Sequence, residues 1–138
     1  MPARSDVYVI RNNMPQIEKA LHQAMADVLV QVGLLVVSAA KQNIVQWDLI
    51  DTGNLLNSIY LQTFTDPGVP AGIQFLGMPG TPPQNDTEIN VNVGAYYGVY
   101  HEYGTAHLPA KPYLVPALES ATERMMPLIR TTFQRYGL

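Results

Sequence analysis

The stretch VGAYYGVYHEYGTAHLPAKPYLVPAL, residues 93–118, decides how the chain folds. It carries Tyr96, Tyr97, Tyr100, Tyr103 and Tyr113, a Gly104-Thr105 turn, and Pro109, Pro112 and Pro116. A tyrosine joins an apolar ring to a polar tip, so it suits a site buried at one end and hydrogen-bonded at the other. Gly104 admits a positive φ, and each proline fixes φ at about −65° while biasing the residue before it toward an extended form. Chain direction is therefore prescribed over most of the stretch, which reads as a segment of fixed shape and not as a mobile lid. Between 96 and 103 the period fits either a strand or a short helical turn. Glu102 is expected to accept backbone or hydroxyl hydrogen bonds at the Gly104-Thr105 turn.

Upstream, Asn13 is a good N-cap and Pro15 with Gln16 fits a first helical turn. Ile17, Leu21, Met25, Val28, Val32, Leu35, Val36 and Ala39 then advance by threes and fours, and Ile44 extends the pattern. The spacing predicts a helix to about Gln46, roughly 48 Å long at ~1.5 Å per residue. That exceeds what a small domain covers. Leu29, Val30, Leu34 and Val37 lie off the main stripe and are still apolar. A helix apolar around its circumference is buried on more than one side, so this second stripe is expected at a subunit interface. Gly33 reads as a weak point or a place of close packing.

Asp51-Thr52-Gly53-Asn54 is turn chemistry, with Asp51 or Thr52 placed to cap a short turn at Leu55-Leu56-Asn57. The Asp-Thr-Gly lacks the upstream apolar strand of an aspartic-protease half-site, so Asp51 and Gly53 are read as a structural corner. Residues 58–65 predict a strand ended by Asp66-Pro67-Gly68, residues 73–76 a second short strand, and residues 88–93 the clearest one. The breaker-rich segment 66–87 is expected to be an exposed loop. Pro116 opens the last helix, and Pro127 predicts a kink or break near Met126. Residues 1–12 carry little pattern and read as a frayed terminus or an arm reaching a neighbour. The resulting fold class is α+β: a long N-terminal helix on a small antiparallel sheet of three or four strands, closed by a C-terminal helix, in a single domain spanning 1–138.

Of 138 residues, 47% are hydrophobic and only 14% charged, against ~25% charged in ordinary soluble domains. A surface so short of charge is expected to be partly covered by partner subunits. The net charge of −3 argues against a general grip on duplex phosphates. It is compatible with a neutral wall past which DNA slides. Without cysteine there are no disulfides, thiolate nucleophiles or cysteine zinc sites. No signal-peptide core is legible near the N-terminus, and the apolar run 28–37 is half of the ~20 residues a membrane span needs.

Catalytic chemistry finds no pattern to rest on. A zinc peptidase needs two histidines four apart on one helical face with a glutamate between them. Here His101-Glu102 and His107 stand too far apart, with Gly104 between them and Pro109 just beyond. There is no phosphate-binding glycine loop and no nucleophile elbow. No metal, cofactor or catalytic residue is therefore expected. The alternatives are a small hydrolase using His101 and Glu102, and a nucleic-acid-binding accessory protein of a phage operon.

The run Tyr100-His101-Glu102-Tyr103-Gly104-Thr105, with Pro109-Ala110-Lys111-Pro112-Tyr113-Leu114 and Pro116-Ala117-Leu118 after it, resembles the signature of a phage family. That family comprises the tail-completion or tail-to-head joining proteins of long-tailed double-stranded DNA bacteriophages. Asp51-Thr52-Gly53-Asn54-Leu55-Leu56-Asn57-Ser58-Ile59 is similar to the family's second element, and the long insertion 66–87 departs from it. The resemblance implies a structural virion protein in a closed ring of roughly six copies. Its partners would be a head-completion or connector protein and a tail-tube or tail-terminator protein. Duplex DNA would pass through the ring without sequence-specific contact. The protein would reside in the tail or neck of the virion after assembly in the host cytoplasm, with no membrane involved. On the same resemblance Tyr100, Glu102, Tyr103, Gly104, Thr105, Pro112, Tyr113 and Pro116 are interface or structural residues.

Overall fold

A computed structural model describes residues 14–49, 53–74, 77 and 81–138. Helix α1 runs Met14–Gln46, close to the length its period predicts. Its proposed cap Asn13, the segment 1–12, and Asp51 with Thr52 lie outside the described residues. The buried face of α1 is Ala24, Val28, Val32, Gly33, Val36, Ala40 and Ile44. Small residues on that face let other elements approach closely. A Cβ on Gly33 would stand 2.5 Å from Leu61 Cδ1 and 2.7 Å from Ile89 Cδ1, so Gly33 is a packing site.

Ile17, Leu21 and Met25, expected on the buried stripe, are exposed. Helix α1 is ~50 Å long, and among the described residues too little chain reaches its first three turns to cover them. Among those residues α1 is also the one helix long and apolar enough to cross a membrane by length and composition. The run 28–37 understates it, because Ala39, Ala40 and Ile44 continue the apolar character. In the fold this helix carries the core.

After α2, Asn54–Asn57, come strands β1, Ile59–Gln62, and β2, Asn90–Val93. They pair antiparallel with Ile59 opposite Val93 and Gln62 opposite Asn90. Strand β1 stops three residues short of expectation because the Thr63 N–H turns to the Asp66 carbonyl (2.8 Å), while the Asp66 carboxylate takes the Gly68 N–H (2.8 Å). The sheet has two strands among the described residues, fewer than the three or four expected. Ile73 and Gln74 pair with no strand. Instead the Asn54 side-chain amide donates to the Gln74 carbonyl (2.9 Å) and accepts from its N–H (2.8 Å), occupying the groups a strand partner would use. Two strands alone are marginal, and β1–β2 is held by packing on α1.

Residues 98–103, left open between strand and helix, form helix α3, Gly98–Tyr103. Helices α4, Leu114–Glu123, and α5, Met125–Arg135, pack along α1. The expected break lies at Arg124, just upstream of Met126. Pro127 cannot donate to the Glu123 carbonyl, and its ring would clash there, so the first helix stops at Glu123. Pro127 then sits in the first turn of α5, as Pro116 does in α4, where a missing N–H costs nothing.

Candidate assembly interface

The tyrosine- and proline-rich segment is held by one carboxylate. Glu102 on α3 is buried, and its Oε2 accepts the backbone N–H of Tyr113 (2.8 Å) and Leu114 (2.9 Å). Its Oε1 accepts the N–H of Val115 (2.9 Å). A helix leaves its first four N–H groups without partners. At the start of α4 three of these go to Glu102, and the fourth position is Pro116, which has none. A negative charge at that end also favours the helix dipole. The bonds of Glu102 thus go to the α4 N-terminus and not to the Gly104-Thr105 turn.

The rest of the segment is tied as firmly. The Tyr113 hydroxyl donates to the Gly98 carbonyl (2.9 Å), and burial followed by the nearby Glu102 charge pushes its pKa well above the usual tyrosine range. Any side chain on Gly98 would strike that hydroxyl. Asn43 Nδ2 donates to the Tyr113 carbonyl (3.0 Å) and Trp47 Nε1 to the Pro112 carbonyl (2.7 Å), which docks the entry to α4 on the end of α1. Gly104 has φ +77°, and a Cβ there would meet Ala110 N at 2.8 Å and the Leu108 carbonyl oxygen at 2.9 Å. Thr105 closes this turn by donating its N–H to Leu108 (2.8 Å). Gly53, at φ +80°, starts α2.

Both oxygens of Glu102 are taken by backbone donors. His101 Nδ1 is buried without a partner among the described residues, and burial, then Lys111, lowers its pKa. Among the described residues no three His, Asp or Glu side chains gather as a metal site would require. Of the residues in this run, Glu102, Gly104 and Tyr113 hold the backbone of the subunit together.

Exposed apolar residues lie both in this stretch and on α1. On the outer side of α3, Tyr96, Val99, Tyr100 and Tyr103 are exposed, Tyr103 by 72%. Tyr96 stacks edge-on against both Tyr97 and Tyr100, at 5.6 and 6.4 Å between ring centres. Beside them runs a trough of two adjoining hollows, about 400 and 500 Å³, which share Val91, Asn92 and Leu114. On α1, Leu34 is 54% and Val30 36% exposed. The stripe Leu29, Val30, Leu34 and Val37 does not form a single surface. Leu29 lines the larger hollow, Val37 packs against the core, and only Val30 and Leu34 face outward. Successive residues turn by about 100° around a helix, which carries Leu29 away from its neighbour.

Three cross-links have no warning in the sequence patterns: Gln31 Nε2 to Thr132 Oγ1 (3.0 Å), the Tyr136 hydroxyl to Asp27, and His22 to Asp86 (2.7 Å). Each joins residues far apart in the chain. For Asn43 and Trp47 a signal existed, since two polar-tipped side chains one turn apart share a helix face.

The chain matches no protein-family model, no curated protein and no solved structure.

Proposed function

We propose that the protein is a structural subunit of a long-tailed bacteriophage particle, a tail-completion or tail-to-head joining protein that acts within a closed ring and turns over no substrate. The observation that carries this reading is the presence of exposed apolar side chains in two separate places: Val30 and Leu34 on α1, and Val99, Tyr100 and Tyr103 on α3 with Tyr96 just before it. A ring closes through contacts between two different faces of the same chain, so each subunit needs two such faces. Tyrosine-rich exposed surfaces are typical contact anchors, and a chain with 14% charged residues has little else with which to solvate them. The resemblance of residues 100–118 and 51–59 to the tail-completion family supplies the phage setting. It also supplies the partners, a head-side connector and a tail-tube or terminator protein, with duplex DNA passing through the centre.

Electron microscopy and sedimentation of the purified chain test the reading. Closed rings are expected, and Val30→Glu with Leu34→Glu should abolish them while leaving the circular dichroism spectrum nearly unchanged. In the phage that carries the gene, the double variant should accumulate unjoined heads and tails. Normal particles assembled from the double variant would overturn the assignment of the α1 face.

A further inference from the structure

We propose that the free subunit is an antiparallel two-fold dimer, in which the outer face of α1 packs on the same face of a second copy with Leu34 opposite Leu34. From the function proposed above this takes only the premise that the outer face of α1 is a contact surface. On that face Gln23, Asp27, Val30, Leu34, Ser38, Lys41 and Val45 advance by threes and fours. Leu34 and Val45 are more than half exposed. The stripe is balanced about Leu34. Asp27 lies two turns before it and Lys41 two turns after, while Gln23 and Val45 stand equally far out on either side.

That balance selects the orientation. In an antiparallel pair centred on Leu34, Asp27 of each copy comes level with Lys41 of the other, which makes two opposite-charge pairs. In a parallel pair Asp27 would face Asp27 and Lys41 would face Lys41, and both contacts would repel. Asp27 already accepts the Tyr136 hydroxyl, but a carboxylate has further acceptor sites for a cation. Such charges set orientation more than affinity.

Size then sets strength. From Gln23 to Val45 the stripe is ~33 Å long and a helix is about 10 Å wide, which falls short of the ~800 Å² per partner of a stable interface. The pair is therefore weak and reversible. A two-fold contact also closes on itself and cannot propagate into a ring. It covers Val30 and Leu34 in the free subunit and must open before ring contacts form, so it holds down the free monomer and flattens the dependence of assembly on concentration.

The absence of cysteine makes the test direct. Three single variants, Leu34→Cys, Gln23→Cys and Val45→Cys, are oxidised separately and in mixtures, with circular dichroism to confirm folding. Leu34→Cys should form a disulfide-linked dimer alone. Gln23→Cys and Val45→Cys should each stay monomeric alone and join when mixed with each other, since a disulfide needs Cβ atoms about 4 Å apart. Self-linking of Gln23→Cys and Val45→Cys would mean a parallel pair and overturn the proposal. Failure of all three to link in the folded protein would also overturn it. The ring reading would be untouched by either result, because it is scored separately by microscopy of the wild type.

Discussion

Residues 98–116 and the outer face of α1 are opposites. In the first, Glu102, Tyr113 and the opening N–H groups of α4 are buried and complete one another, with His101 Nδ1 the exception among the described residues. In the second, apolar groups are exposed, with Val30 and Leu34 turned away from the core. The motif of residues 100–118 runs through the first region, where Glu102, Gly104 and Tyr113 fix backbone geometry while Tyr100 and Tyr103, on the same short helix, are exposed. On the proposed reading, contact falls to those two tyrosines and to a plain aliphatic helix face with no motif at all.

The sharpest way to break this contrast is at Glu102. Glu102→Ala strands three N–H groups at the head of α4, and charged hydrogen bonds of this kind contribute about 1.5–3 kcal/mol each before non-additivity. A net loss of about 4 kcal/mol is expected, enough to unfold a marginal domain, and chemical denaturation would measure it. A stable Glu102→Ala protein with impaired assembly would instead place the motif among the contact residues. Next in size is Gly104→Val. Its positive φ and the backbone atoms that a Cβ would strike predict about 3 kcal/mol, read as a clear fall in melting temperature.

The smallest effect belongs to His101. Burial and Lys111 hold its pKa below 6.5, so the folded state favours the neutral ring. The unfolded chain binds that proton more readily, and this contribution to stability is therefore full above pH 6.5 and lost as pH falls below it. His101→Ala should leave the fold intact within about 1 kcal/mol and flatten part of the decline in melting temperature on the acid side of pH 6.5. An unchanged acid decline in the variant would show that other groups govern it.

Much of the fold was legible because its signals are local. The length of α1, the presence of β2 within the expected 88–93 (though only Asn90–Val93 form it), the positive φ of Gly104 and the early place of Pro116 each follow from neighbouring residues. What could not be read depended on partners far along the chain. Residues 96–103 fit strand or helix until the Tyr113 hydroxyl meets Gly98, and Ile73-Gln74 loses its strand to an amide on Asn54. The stripe on α1 had the right periodicity but gave no measure of how far the other elements reach, so Ile17, Leu21 and Met25 were assigned a cover they lack. At the site, Glu102 could be read as an acceptor, but not which helix it serves.

The bonds that fasten α1 to α5, from Gln31 to Thr132 and from Tyr136 to Asp27, join residues 101 and 109 positions apart. They set an order of events during synthesis. Helix α1 leaves the ribosome before α4 and α5, and the part of its cover that they supply arrives last, after β1 and β2. At ~5–20 residues per second that part of the apolar face of α1 waits roughly 5–20 s without its partner helices. A nascent chain of this design has to be shielded by a chaperone, by its own transient collapse or by low abundance, and its yield should respond to translation speed more than that of a domain whose helices pack on near neighbours.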